Sequence, residues 1–228
     1  MMHAALDTVT TWLVPVTGAI LLHDAAQSAV ARWMGDAAMV TWKREGRITR
    51  FFDPLGSLLI PLALAFAHAP VFGWGKRMPL TVAATRRDRL RLAAVAATGP
   101  IACLACAILG AVALGALVAA CDGIMPTQGA AGFLAANLFN FILANACMAT
   151  FHLIPLPPFD FGRALAELMP ERARKPMRLA GRMLALGLVA MVVAVPLLDP
   201  NARIGERFAA PVINAITRFV LGLVNLTV

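Results

Sequence analysis

Residues 9–31, VTTWLVPVTGAILLHDAAQSAVA, decide how the rest of the chain is read. About 20 mostly apolar residues span the ~30 Å hydrocarbon layer of a bilayer, so this stretch is long enough to cross one. Its second half nevertheless carries His23, Asp24 and Gln27. An ionisable group at that depth costs roughly 2.5–3.5 kcal/mol on insertion scales, which marks the cluster as a functional site. His23 and Gln27 stand four residues apart and project from one helical face, with Asp24 about 100° round from His23. The pattern HDAAQ is an altered form of H-E-x-x-H, in which two histidines on one face bind zinc and the glutamate is the general base.

Composition supports a membrane setting. The chain has 228 residues, of which 60% are apolar and 14% charged, and its mean hydropathy is +0.77. Soluble domains are closer to half apolar. One membrane-embedded domain, 1–228, is expected, with a core over about 9–167 and C-terminal helices over about 177–226. The net charge is +8, but most of the 20 Lys and Arg fall in three blocks, 32–50, 76–91 and 163–182. Basic blocks between apolar spans mark cytoplasmic loops facing anionic lipid, and their placement argues against nucleic acid as a partner. No Lys or Arg precedes the first apolar run, so it does not read as a signal peptide. All four cysteines (103, 106, 121 and 147) lie in or beside apolar spans, which excludes a secreted disulfide framework.

Beyond the first span, 32–53 is polar and basic, and its alternation predicts a small β element turning at Gly46. Residues 54–72 are apolar but broken by Pro54, Pro61 and Pro70. A full crossing there would put two basic loops on opposite faces, so a re-entrant segment is expected. Further spans are expected at 92–120, 130–155 and 177–198, a third basic loop at 161–176, and a last apolar segment at 208–226. This gives four or five crossing helices, with basic loops cytoplasmic. On this topology His23 is about 13 Å of helix rise from Arg32, and Asp160 precedes Arg163 at the same face. The two acquire comparable depth, and a metal site could join them.

An ordered series of motifs, spread over about 15–167, resembles the site-2 protease family of intramembrane zinc metalloproteases. HDAAQ at 23–27 matches the H-E-x-x-H helix, followed by Gly35-Asp36 and Gly46-Arg47-Ile48-Thr49. DPLGSLLIP at 53–61, GWGKRMP at 73–79, TGPIAC at 98–103 and FHLIPLPPFDF at 151–161 match further family segments in order, with Asn145 matching a family asparagine. The resemblance implies an all-α polytopic membrane bundle of site-2-protease type with a re-entrant segment. It also implies zinc as cofactor, a transmembrane protein substrate, and a multi-pass location in the bacterial inner membrane among its lipids. By the same resemblance, His23 and Asp160 are metal ligands and Asp24 is the catalytic carboxylate. Asn145, Pro155, Pro157 and Pro158 hold the substrate strand.

The departures matter as much as the matches. Asp24 replaces the family glutamate, and Gln27 replaces the second histidine. A neutral amide is a poor zinc donor, which leaves two ligands where a catalytic centre uses three. His152 and Cys103 stand where the family has asparagines, and Phe161 where it has glycine. Either His152 or Cys103 could supply the lost ligand from another helix. The alternative is a non-catalytic pseudoprotease that binds membrane helices or membrane partners without cleaving them.

Overall fold

The structure is a computed structural model, and it describes residues 2–35, 53–62, 73–75, 85–157 and 159–198, together with Ala215, Arg218 and Gly222. The first apolar run folds as helix α1, Met2–Trp33, with Pro15 inside it. After it come a short π-helical turn, Pro54–Leu59, and helices α2, Arg86–Ala120, and α3, Gly129–His152. Helices α4, Asp160–Leu168, and α5, Glu171–Leu198, follow. The described residues contain helices, turns and no strand. The expected β element falls mainly on 36–52, and the return limb of the expected re-entrant segment on 63–72, outside the described residues.

Three helical segments are long and apolar enough to cross a bilayer: Val9–Trp33, Arg87–Ala120 and Gly129–His152. They identify a membrane protein. Helix α2 shows how such a span is built. Cys103, Ala107, Ala111, Leu114 and Val118 are buried at spacings of three and four, while Ile101, Leu104, Leu109 and Val112 on its other sides are exposed. A helix apolar all round suits a lipid environment. Its start is fixed by a capping box: Thr85 accepts from the Asp88 N–H, and the Asp88 carboxylate accepts from the Thr85 N–H.

Small residues set the close packing of α1, α2 and α3. Ala107, Ala111 and Ala135 pack with Leu114, Val118 and Ile142 between α2 and α3. Val16, Ala19 and Ile20 of α1 meet Ala144 of α3. Alanines let membrane helices approach closely where lipid supplies no hydrophobic drive to associate. Asn140 ties α3 to α1 by donating to the Thr11 carbonyl at 3.0 Å.

One sequence expectation is corrected. Residues 161–176, read as a basic loop, lie in α4 and the first turns of α5, separated near Pro170. The charges concealed a helix: Asp160, Ala164 and Ala166 are buried while Phe161 and Leu168 are exposed, so α4 packs one side inward and leaves the other outward. The α3 span also ends at His152 rather than 155, giving way to the proline-rich turn that leads into α4.

Candidate metal centre

The buried face of α1 runs Val16, Ala19, Ile20, His23, Gln27, Ser28, Ala31. The polar residues therefore continue an apolar stripe that faces α2 and α3, and all of them are shielded from lipid. Intramembrane polar side chains are tolerated on such an inward face. His23 is 2% exposed and Gln27 3%.

Helices α3 and α4 bring the other half. His152 is the last residue of α3, and the chain turns over its prolines so that Asp160 starts α4. His152 Nδ1 lies 2.7 Å from Asp160 Oδ2, and His23 Nε2 lies 2.9 Å from the same oxygen. The two imidazoles are 4.3 Å apart, centre to centre. Gln27 Nε2 donates to Asp160 Oδ2 at 2.5 Å. Burial would push the Asp160 carboxyl up, yet its contacts with His152 and His23 hold it well below the usual carboxylate range. It is a carboxylate at neutral pH, an acceptor and a donor of lone pairs.

His23, His152 and Asp160 each offer one ligand atom, all within 4.8 Å of one another. They lie close enough to bind a metal ion. Ligands at about 2.0 Å around a tetrahedral zinc stand roughly 3.3 Å apart, so two imidazoles and a carboxylate at these separations suit the ion in number, type and spacing. His23 Nε2 is a second sign. Although buried within 2.9 Å of the carboxylate, it has no aligned hydrogen-bond partner among the described residues. Two groups that approach closely without facing each other are disposed as ligands of a shared ion are.

Asp24 stands behind His23. Its Oδ1 is 3.1 Å from His23 Nδ1, the ring nitrogen on the far side from Asp160. A carboxylate there fixes the tautomer and turns the Nε2 lone pair toward the centre. Asp24 Oδ2 is buried and has no hydrogen-bond partner among the described residues. It lies against Gly75, where a Cβ would sit on top of it. The Gly73–Gly75 segment is fastened over α1 by Trp74, whose backbone N–H donates to the Gly56 carbonyl at 3.1 Å. The Trp74 indole donates to Asp53 at 3.1 Å, and its carbonyl accepts from Ser57 at 3.0 Å.

Gly99 closes the other side. A Cβ there would strike His23 Nε2 and come within 2.7 Å of Gln27 Nε2, so α2 passes against the nitrogen nearest Asp160 with only its backbone. Cys103, one turn further along α2, is fully buried but is outside the group of ligand atoms. The two replacement candidates thus part company: His152 lies in the cluster and Cys103 beside it. Asn145 is buried two turns before His152, its amide donating to the Phe141 carbonyl at 2.8 Å and its Oδ1 unpaired among the described residues. Pro155 is exposed and Pro157 buried in the turn, while Pro158 lies outside the described residues. Phe161 is 43% exposed and points away from the core.

The spacing of the α1 polar residues pointed to this centre, whereas the backbone approaches at Gly75 and Gly99 left no signal beyond the glycines themselves. A "Putative zinc metalloprotease YwhC" from Bacillus subtilis (strain 168) is 31% identical to this chain over 161 residues, 68% of each protein. No family model matches, and no solved structure matches the chain.

Proposed function

The chain belongs to the zinc metalloprotease family of that Bacillus protein, and on this premise we propose that it is an intramembrane peptidase of site-2 type that cleaves a transmembrane protein substrate. Its metal would be held by His23, His152 and Asp160. The observation that carries this reading is the convergence of these three side chains, from α1, α3 and α4, within 4.8 Å. The histidine missing at position 27 is replaced by one from another helix.

Bound zinc would supply Lewis acidity, polarising the scissile carbonyl and bringing the pKa of water to about 7. The protein's own groups do the rest. Asp24 orients His23 through Oδ1, and by the family resemblance it is the carboxylate that would take a proton from the attacking water and pass it to the leaving amine. The α1–α3 packing around His23 excludes lipid and bulk water. Asn145 and the turn with Pro155, Pro157 and Pro158 would hold an extended substrate strand. With the basic blocks on the cytoplasmic side, cleavage would occur near the cytoplasmic face of a bacterial inner membrane.

A second reading is favoured by one specific feature. The His152 imidazole and the Gln27 amide both hydrogen-bond to Asp160 Oδ2, which satisfies the buried carboxylate without an ion. A non-catalytic homologue that binds membrane helices would have such a centre. Metal analysis of the purified full chain separates the two. One zinc per chain, lost on His152→Ala, with cleavage of a membrane-inserted substrate, supports the peptidase; a metal-free wild-type protein after zinc loading overturns it.

A further inference from the structure

Gln27 occupies the position at which H-E-x-x-H carries its second histidine, but it is engaged with the carboxylate. Its Nε2 donates to Asp160 Oδ2 at 2.5 Å, and that oxygen also lies 2.9 Å from His23 Nε2 and 2.7 Å from His152 Nδ1. The second oxygen, Oδ1, lies toward Arg163 Nη1 at 3.6 Å. A carboxylate oxygen has two lone-pair directions. With one engaged by the Gln27 amide, Oδ2 keeps one for an ion. Oδ1, turned toward the guanidinium, is drawn away from two-oxygen ligation. Asp160 then contributes a single donor. Together with two imidazoles this makes three protein donors, the number that leaves a catalytic position open.

We propose that Gln27 is a positioning residue: its amide restrains Asp160 to one-oxygen ligation and keeps the fourth position of the centre open, so that restoring a histidine at 27 would close it. The inference rests on the metal reading above. With His152 already in the cluster, an imidazole at 27 becomes a fourth protein donor, and four-donor sites are the closed, structural kind. Gly99 confines the side chain at 27 from the α2 side, so an imidazole there would be turned toward the centre. The residue that would complete the motif in the sequence would thereby remove the water position in the structure.

The experiment uses the purified full chain in detergent. Zinc affinity is measured by competition with a chelator, and coordination by X-ray absorption and by the visible spectrum after cobalt substitution. Gln27→Met keeps the volume and removes the donor; affinity should fall about 10- to 100-fold, the usual loss for an outer partner of a ligand. Gln27→His should bind zinc at least about tenfold more tightly, with one more nitrogen in the first coordination sphere and no exchangeable water on cobalt. Should Gln27→Met fail to fold, Gln27→Asn, its amide withdrawn by one methylene, should show the same loss. Affinity unchanged in Gln27→Met (or in Gln27→Asn, where it stands in), or a retained water in Gln27→His, overturns the inference while leaving the metal centre intact. A wild-type chain that takes up no zinc overturns the centre itself.

Discussion

Gln27 and His152 reach the same oxygen, Asp160 Oδ2, from two different helices, at 2.5 and 2.7 Å. Gln27 is on α1 and His152 ends α3, 125 positions later in the sequence, yet a single ion at ~2 Å ligand distances could be bound by either position. Exchange of a ligand between the two is thus geometrically allowed. Cys103, with suitable ligand chemistry, lies outside the cluster, and the two candidates lead to opposite expectations.

Replacing His152 by alanine should weaken zinc binding by more than about 100-fold, beyond the range for an outer partner, because only two protein donors remain. Cys103→Ser should leave affinity within about threefold. Equilibrium dialysis against zinc buffers measures both. A cysteine variant that loses the metal while the histidine variant keeps it would reverse the assignment.

Asp24→Asn keeps an oxygen for His23 Nδ1 and removes the basic carboxylate. Zinc affinity should change by less than about tenfold, whereas cleavage of a transmembrane substrate should fall about 10²- to 10⁴-fold, the usual worth of a positioned acid–base group. Asp24→Glu restores the family's glutamate in sequence, but Asp24 Oδ2 already lies against Gly75. One more methylene should overpack that contact and destabilise the fold by about 1–3 kcal/mol, read as a lower thermal midpoint.

What could be read in the sequence follows from how far each signal reaches. The spacing of His23 and Gln27 along α1 is a local pattern, and the helix preserves it, so the buried face was legible. The approach of Asp160 required only that two spans place polar groups at one depth. Residues 161–176 were misread because Arg163, Arg172, Arg174 and Lys175 suggested solvent, while the burial of Ala164 and Ala166 that defines α4 depends on what lies opposite. Gly99 and Gly75 are the extreme case. A glycine in a sequence does not say which atom prevents a side chain, and here those atoms are His23 Nε2 and Asp24 Oδ2.

Zinc should also act as a stabiliser. A ligand that binds only the folded chain adds about 2.7 kcal/mol at 100 times its dissociation constant. Thermal unfolding of the detergent-solubilised wild type should therefore shift upward with added zinc and downward with a chelator. Asp160→Ala should abolish the shift, since it removes the donor that both imidazoles and Gln27 approach. Equal shifts in the wild type and in Asp160→Ala would mean that zinc stabilises from elsewhere.

Gly99→Ala tests the close passage of α2 across the centre. The added methyl would strike His23 Nε2 and press on Gln27 Nε2. Neither can retreat freely, because His23 is held behind by Asp24 and Gln27 in front by Asp160. The expected result is destabilisation of about 1–3 kcal/mol from overpacking, with zinc affinity reduced by at least about tenfold as the Nε2 lone pair is turned aside. Gly187→Ala is the control: it lies in helix α5 with nothing among the described residues within 4 Å of the added carbon, so it should be neutral or stabilising by up to about 1 kcal/mol through helix propensity. Thermal midpoints and zinc titrations of the two variants, side by side, separate a general cost of filling helical glycines from a specific loss at His23 Nε2. Normal zinc binding in Gly99→Ala would show that α2 does not crowd the centre.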